Sequence, residues 1–561
     1  MKIVLASINS KYIHSSLGVW YLYSAAKSAD TPHTVEVYES TINNHIDDIV
    51  ADIYNLNPDV VGFSCYIWNI EYVKRITECL KKINPQLKVF FGGPEASFDA
   101  EHLLEICDVD CIIKGEGEQA FINLLKNDFT AAEKVVLAPV TDYFNPYSEE
   151  YFAALNGRIV YLETSRGCPF HCAFCLSGRD ENVRFFDMDI SKQNIIKLAN
   201  CGTQTVKFVD RTFNCNDRRA REIFEFIYTQ RTLGNIPEDV VFHCEVEADL
   251  FSQETLDYLK TMPKGLFQFE AGLQSFNTQT LKAVDRRHNI ERLVHNLKEI
   301  AQMKNIHLHI DLIAGLPYED YDSFAKGFDL AFEIGAEVIQ LGFLKLLNGS
   351  PLAAEKDKHG YKYWSYAPYQ VISNNYIGYS DLLKLKLAED ATERIYNSNR
   401  FPNTLKYVLD TTKMSPYSLF YGMGEYCNKT GLQSPSLDNY TSVMLDYFGS
   451  LQNVDKAQLR DAMATDRIIT DRTGKLYHCL HITDDRMKYI RIALNNVDMG
   501  IFENQREKAK QGKIGFAILY SNGEEQVILA DYTQQDKVTG QYQHKFVPLE
   551  MVIGKEESSF N

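Results

Sequence analysis

Cys168, Cys172 and Cys175 fall within eight residues, in the run Gly167-Cys168-Pro169-Phe170-His171-Cys172-Ala173-Phe174-Cys175. The other nine of the twelve cysteines (Cys65, Cys79, Cys107, Cys111, Cys201, Cys215, Cys244, Cys427 and Cys479) are scattered. A long chain with this usage does not read as a disulfide framework, and a scattered cysteine is by default a small buried hydrophobe. Three thiolates at Cys-x3-Cys-x2-Cys spacing outline a metal centre. A structural zinc ion needs a fourth Cys or His to close its tetrahedron. The nearby candidate, His171, lies between two of the thiols and has to strain back toward their metal. A [4Fe–4S] cubane is normally held by four cysteines. With three, one iron keeps an open position, which marks a catalytic rather than a structural centre.

The elements that position this segment are legible as alternation. Strands are predicted at Lys2–Ser7, Thr34–Tyr38, Asp59–Ser64, Lys88–Phe91 and Cys111–Ile113, with helices at Leu17–Ser28, His45–Asn55, Ile70–Ile83 and Gly117–Lys126. Strands alternating with amphipathic helices argue for a doubly wound five-stranded parallel sheet, which binds ligands at the carboxyl ends of its strands. The loops there carry Asn9–Gly18, Ser64-Cys65-Tyr66-Ile67-Trp68-Asn69, Gly92-Gly93-Pro94-Glu95 and Lys114-Gly115-Glu116-Gly117-Glu118. Together they suit a nucleotide-bearing ligand, because glycine lets the backbone approach closely and a helix N-terminus holds a phosphate.

The rhythm lapses over residues 127–157. A second series then places strands near 159–165, 205–210, 241–246, 266–273, 307–313 and 338–343, the pattern of a partial (β/α)6 barrel with its chemistry at the strand C-termini. The cysteine run follows the first of these strands. Beyond residue 370 helices such as Asp381–Asn397 dominate. A hairpin is expected from Phe516–Tyr520 through Ser521-Asn522-Gly523 to Gln526–Leu529, and Gly554–Asn561 reads as frayed. The expected division is 1–140 (first α/β domain), 141–157 (linker), 158–368 (barrel) and 369–561 (α+β).

Composition narrows the classes. The 561 residues are 45% hydrophobic and 24% charged, with 31 Gly and 16 Pro, which excludes collagen-like and wholly disordered chains. No apolar run reaches the ~18 residues of a membrane span, and the N-terminal apolar stretch is too short for a signal peptide, so a cytoplasmic protein is expected. The net charge of −17, from 58 basic and 75 acidic residues, disfavours a polynucleotide partner without excluding it. The local basic run Asp217-Arg218-Arg219-Ala220-Arg221 reads as a solvated helix face.

The cysteine segment, with Phe174 before its last thiol and a position after the first barrel strand, resembles the signature of radical S-adenosylmethionine enzymes. That resemblance implies a [4Fe–4S] cluster on Cys168, Cys172 and Cys175, and S-adenosylmethionine chelated at the open iron. Reductive cleavage then gives methionine and a 5′-deoxyadenosyl radical. Phe208–Asn214 with Asp210, Phe269–Asn277, Val284-Asp285-Arg286-Arg287-His288, Asp311–Pro317 and Leu346–Leu352 resemble the family's later strand-end motifs. Glu247, Glu270 and Gln274 are the candidates for ribose and carboxylate, with salt bridging inside the barrel as the competing use.

An α/β domain before such a barrel resembles the cobalamin-binding subclass. By that resemblance Ser64, Gly92 and Gly93 line the cleft for the nucleotide tail. Cys65, Tyr66 and Trp68 approach the lower face of the corrin, and Glu116 joins the cofactor-binding set. The lower-ligand motif Asp-x-His-x-x-Gly is absent, since Tyr12-Ile13-His14-Ser15-Ser16-Leu17-Gly18 has no Asp and its glycine comes one position late. His14 is therefore assigned to the helix start or the cofactor's periphery. The C-terminal region resembles an uncharacterised extension on a subset of these proteins. Tyr361, Tyr363, Trp364, Tyr366 and Tyr369 at its root suit a domain interface or stacking on a planar substrate.

The resulting expectation is a cobalamin-dependent radical S-adenosylmethionine methyltransferase acting at an unactivated centre through methylcobalamin, served by a flavodoxin- or ferredoxin-type donor. The alternatives are a radical rearrangement, cyclisation or methylthiolation without methyl transfer from cobalamin, and a non-catalytic cobalamin or redox sensor. The sequence does not identify the substrate.

Overall fold

The structure is a computed structural model that describes residues 1–139, 143–155, 157–178, 182–432, 435–521, 523 and 525–554. Asp142, Asn522 and residues 555–561, which belong to the expected linker, turn and frayed end, lie outside the described residues.

Six strands form the first sheet: β1 (Lys2–Asn9), β2 (Thr34–Thr41), β3 (Val60–Ser64), β4 (Lys88–Gly92), β5 (Cys111–Ile113) and β6 (Val135–Val136). All are parallel, in the order β2-β1-β3-β4-β5-β6. Each of the five expected strands is present, and the two-residue β6 adds a sixth. The order reverses between β1 and β3, so the ligand crevice of this sheet lies where those two strands end. β1 is buried along nearly its whole length, because helices cover both faces. Val4, Ala6, Ile8, Phe63 and Phe91 form a core with helices on one face. On the other face Ile3, Leu5, Phe90, Trp20 and Phe121 belong to a core that continues through Tyr151 into the barrel and its C-terminal helices.

The second sheet follows. After β7 (Val160–Leu162) come β8 (Ser165–Arg166) and β9 (Arg184–Phe185), which pair with each other and frame the cysteine segment. The barrel continues with β10 (Thr205–Phe208), β11 (Val241–Val246), β12 (Phe267–Gln274), β13 (His307–Ala314) and β14 (Val338–Phe343). The order β14-β13-β12-β11-β10-β7 is all parallel, an open six-stranded barrel. Period-two alternation sets its lining. In β12 Phe267, Phe269, Ala271 and Leu273 are buried against helices, while Gln268, Glu270, Gly272 and Gln274 face the interior. In β13 the interior set is His307, His309, Asp311 and Ile313. The helices of the barrel start on side-chain caps, among them Asp187, Asn216, Ser252, Asn277, Asn289 and Asp320, each contributing about 1 kcal/mol.

Both free edges of this open sheet are covered from outside. At β7, His14 bridges Ile159 in parallel, Ile159 N donates to Ile13 O (2.9 Å), and Ser15 Oγ donates to Ile159 O (2.9 Å). At β14 the Asn397 side chain accepts from Ile339 N (2.9 Å) and donates to Ile339 O (3.0 Å), and residues 344–346 just beyond the strand pair with a hairpin of β15 (Lys362–Tyr363) and β16 (Val371–Ser373). The boundary expected at 368/369 falls within this hairpin. Helices then run from Tyr379 to Lys510. The expected C-terminal hairpin is present as β17 (Ile514–Leu519) and β18 (Gln526–Gln535), extended by β19 (Tyr542–Pro548) into a three-stranded antiparallel sheet.

Candidate active site

The cysteine segment is pinned at both ends. Buried Asp210, just after β10, accepts from Thr164 N (2.9 Å), Thr164 Oγ1 (2.7 Å) and Ser165 Oγ (2.6 Å), which fixes the chain entering the segment. Within it, Ala173 N donates to Val284 O (2.8 Å) and Ala173 O accepts from Leu352 N (2.9 Å). The exit packs tightly: a Cβ on Gly178 would lie 1.8 Å from Phe170 O, so only glycine fits. His171 Nδ1 bonds Gly178 O (2.7 Å), which commits His171 to closing the segment.

The three thiols face separate partners. Cys168 Sγ lies 3.4 Å from Thr212 Oγ1, Cys172 Sγ accepts from Arg286 Nη1 (3.6 Å), and Cys175 Sγ accepts from Ser177 N (3.4 Å). Burial pushes the Cys172 thiol up, while Arg286 pulls it back down. Among the described residues no three His, Cys, Asp or Glu side chains are close enough to hold a single metal ion. A cubane asks for something different, one thiolate on each of three irons, and this segment supplies that donor set. Phe174 packs on the continuous core behind it.

Among the described residues several buried polar atoms at the barrel mouth have no hydrogen-bond partner: Gln274 Oε1, Asp311 Oδ1, Arg286 Nε and Glu247 Oε1, the last with only a long ion-pair contact to His288 Nδ1 (3.6 Å). Buried polar groups are nearly always satisfied, so a cluster of orphans marks the place of a polar ligand. The guanidinium of Arg286 touches Glu247, the Gly272 carbonyl and Cys172 Sγ at once, so it joins the orphan cluster to the thiols. Burial, with Glu270 and Glu245 nearby, pushes the Asp311 carboxyl up to about 8. Gln274 sits at φ +69° beyond an irregularity in the β12–β13 register, and its amide nitrogen folds back over Gly272, where a Cβ would lie 2.2 Å from it. These groups fit a zwitterion carrying a ribose, that is, S-adenosylmethionine.

Not every expected residue joins this set. The Asp210 carboxylate is used within the protein, as described above. Glu270 lies deeper, bonded to His243 Nε2 (2.9 Å) and Lys207 Nζ (3.2 Å) and held down to about 2 by His243 first and Lys207 after. Arg286 and Asp311 join the site beyond the residues expected from the sequence. The His307-x-His309-x-Asp311 alternation is the signal that points Asp311 inward.

In the first domain Ser64 Oγ donates to Ser7 Oγ (3.0 Å) across the β1/β3 switch point. Gly92 O accepts from Cys65 N (2.7 Å), and Gly93, at φ +93°, lies so close to Cys65 O that a Cβ would approach to 2.7 Å. Cys65 is turned into the core of its own domain, away from the crevice. Tyr66 and Trp68 stack with centroids 4.4 Å apart, and Trp68 remains 42% exposed. Burial raises the Tyr66 phenol, and the strand-end loops of the two sheets touch directly, Arg166 pairing with Glu116 (2.6 Å) and Tyr369 Oη donating to the Glu95 carboxylate (2.9 Å). Helices following β1, β3, β4 and β5 start without side-chain caps, and at two of them first-turn amides are met by backbone instead, Ile70 N donating to Tyr66 O (3.0 Å) and Glu95 N to Cys65 O (3.2 Å). Glu116 faces the seam instead: it pairs with Arg166 Nη1 (2.6 Å) and with Arg184. Arg166 also holds Glu118 (2.7 Å) and Glu163 (2.9 Å) and lies over the Tyr21 ring at 4.5 Å.

Residues 2–125 match the B12 binding domain family, 162–331 the Radical SAM superfamily, and 357–517 the family described as protein of unknown function (DUF4080). The chain therefore joins a B12-binding domain to a radical S-adenosylmethionine domain, the class that its sequence resembles. Within that class it carries the third, uncharacterised region.

The chain is 26% identical over 359 residues to the 2-(S-pantetheinyl)-carbapenam-3-carboxylate methyltransferase of Streptantibioticus cattleyicolor, covering 54% of this chain and 49% of that one. It is 26% identical over 335 residues to the cobalamin-dependent radical SAM methyltransferase TokK of Streptomyces tokunonensis, covering 53% and 48%. It thus spans about half the length of these curated relatives. Its fold is that of the cobalamin-dependent S-adenosylmethionine radical enzyme OxsB with aqua-cobalamin bound (TM-score 0.54, 14% identity, 91% of this chain and 83% of that one). In the arginine-rich run Arg219 donates to Thr164 O and Phe186 O, Arg221 pairs with Glu254 and Glu225, and Arg218 is exposed. Among the described residues no helix is long and apolar enough to cross a membrane.

Proposed function

We propose that the protein is a cobalamin-dependent radical S-adenosylmethionine methyltransferase acting at an unactivated centre. The observation that carries this reading is the three-thiol segment lying beside a cluster of orphaned buried polar atoms, next to strand-end loops that touch the first domain through Arg166–Glu116 and Tyr369–Glu95. When bound, the cluster and cobalamin supply reductive cleavage of S-adenosylmethionine and transfer of its methyl group.

The chain's own residues hold and orient. Cys168, Cys172 and Cys175 are the cluster ligands, and Phe174 closes the segment against the core. Arg286 places a positive charge between Cys172 and Glu247, which suits the carboxylate of the bound amino acid. Glu247 suits its ammonium, and Gln274 and Asp311 suit ribose hydroxyls. Ser64, Gly92 and Gly93 form the close-approach edge for the cofactor tail, with Tyr66 and Trp68 beside it. The seam of Arg166, Glu116 and Glu118 keeps the two mouths in register, which is where orientation lowers the barrier. A small acidic flavodoxin or ferredoxin is the donor this reading calls for, in the cytoplasm. The substrate class is left to experiment.

The test is anaerobic reconstitution with iron, sulfide and hydroxocobalamin, followed by gel filtration and assay with methyl-deuterated S-adenosylmethionine. Stoichiometric cobalamin that co-elutes without a nitrogen lower ligand, 5′-deoxyadenosine formation and deuteriomethyl transfer to a component of cell extract are expected. An intact cluster with no retained cobalamin would remove methyl transfer through cobalt and leave cobalamin-independent radical chemistry.

A further inference from the structure

The barrel sheet is continued at its rim by the region of unknown function. Beyond β14, Leu344 O accepts from Val371 N (2.9 Å), Leu346 N donates to Tyr369 O (3.0 Å), and Lys345 bridges Gln370 in antiparallel fashion. The β15–β16 hairpin therefore adds an edge to the barrel where its chemistry lies. Two side chains flanking this hairpin converge on one carbonyl. Tyr361 Oη (3.1 Å) and Asn374 Nδ2 (2.8 Å) both donate to Gly315 O.

Gly315 follows β13 directly, at φ +96°. The rest of its turn is fastened from within the barrel: Thr280 Oγ1 donates to Pro317 O (2.8 Å), Asn277 Nδ2 to Tyr318 O (3.0 Å), and Ser275 Oγ to the Glu319 carboxylate (2.6 Å). Gly315 is where the backbone of the turn is tied to the C-terminal region, and the Tyr318 ring adds packing against Tyr376 (4.7 Å) and His359 (5.7 Å). Both donors are themselves fixed. Tyr361 is buried, and Asn374 Oδ1 accepts from Tyr376 N (2.8 Å) and Ile377 N (2.9 Å).

We propose that Tyr361 and Asn374 are positioning residues for S-adenosylmethionine. By locking Gly315 O they hold the end of β13, with Asp311 and Ile313, in register with Gln274 of β12. The inference rests on the S-adenosylmethionine reading above and gives the uncharacterised region a part in that pocket. It acts through backbone geometry, where a shift of about 1 Å is enough to cost a large factor in rate or affinity.

The test compares the full-length wild type, the double variant Tyr361→Phe/Asn374→Ala, and Lys362→Ala, an exposed position on the same hairpin. Amide hydrogen exchange over residues 311–319 is measured on the ligand-free chains. The KM for S-adenosylmethionine and kcat are measured by 5′-deoxyadenosine formation after reconstitution. In the double variant we expect faster exchange in that segment, unchanged cluster absorption, and a KM raised by about tenfold or more with kcat little altered. Lys362→Ala should match the wild type. An unchanged KM and exchange rate in the folded, cluster-loaded double variant would overturn the inference, as would an equal rise in Lys362→Ala. A wild type that forms no 5′-deoxyadenosine would instead overturn the reading on which it rests.

Discussion

His14 Nδ1 and Tyr161 Oη lie 2.6 Å apart, joining the first loop of the B12-binding domain to the first strand of the barrel. Burial lowers the imidazole's pKa, with Lys11 and Lys207 acting in the same direction, so His14 enters this contact neutral near pH 7. The contact uses Nδ1 and leaves Nε2 free, and we expect His14 to serve the barrel edge rather than the cobalt. The variant His14→Ala should leave the absorption spectrum of bound cobalamin unchanged and cost about 1 kcal/mol in denaturant unfolding. A shifted cobalamin spectrum would return His14 to the cobalt.

Asp311 gives a pH signature. Its carboxyl titrates near 8 in the fold but near 3.9 in an unfolded chain. Between those values the folded chain holds a proton that the unfolded chain has lost, so this residue's contribution to stability falls as pH rises. Asp311→Asn should flatten that dependence and stabilise the ligand-free protein by about 1–3 kcal/mol above pH 8, while weakening S-adenosylmethionine binding. Calorimetry at two pH values checks the first effect and equilibrium dialysis the second.

The fold was largely legible because its signals are local. The FQFEAGLQ alternation of β12 and the HLHIDLIA alternation of β13 name both the strand and its inward face. What spacing does not give is how a polar group is used once it points inward. Asp210, Glu116 and Glu270 were all expected near a cofactor, and the structure places each against protein partners, because a carboxylate beside Ser, Arg or His finds its bond there first. The contacts of Ile13–Ser15 with Ile159 and of Tyr361 with Gly315 leave no periodic trace, since each joins segments far apart in the chain.

Arg166 tests the seam between the domains. Arg166→Gln would leave Glu116, Glu118 and Glu163 facing one another without their shared cation. The cost should be about 3 kcal/mol, the usual consequence of stranding partly buried charges. Denaturant unfolding measures it, and cobalamin retention should fall in parallel.

Asp210 tests the anchoring of the cysteine segment. Asp210→Ala removes the acceptor of three hydrogen bonds at Thr164 and Ser165, with an expected loss of about 2–4 kcal/mol. Iron content after reconstitution should drop more steeply than cobalamin content, because the thiols lose their entry geometry while the first domain is untouched.

Replacing Cys168, Cys172 or Cys175 singly by Ala should abolish 5′-deoxyadenosine formation. Persistence of that product in any one of the three would refute the ligand assignment. Ala at Cys65, which faces its own core, should leave turnover intact at a stability cost of about 1 kcal/mol.

The doubly covered barrel edge has a consequence for biosynthesis. A chain leaving the ribosome folds its N-terminal domain first, so the loop around His14 is in place to receive β7 as soon as that strand emerges. The opposite edge has no such partner in waiting. Strand β14 is complete at residue 343, but residues 369–371, which pair with its extension, and Asn397, which bonds Ile339 on its outer edge, come later, so the sheet passes through a stage with one unpaired border. Unpaired borders recruit other chains. A nascent or truncated polypeptide ending between those points is the form most prone to aggregate, and the one for which a chaperone would matter most.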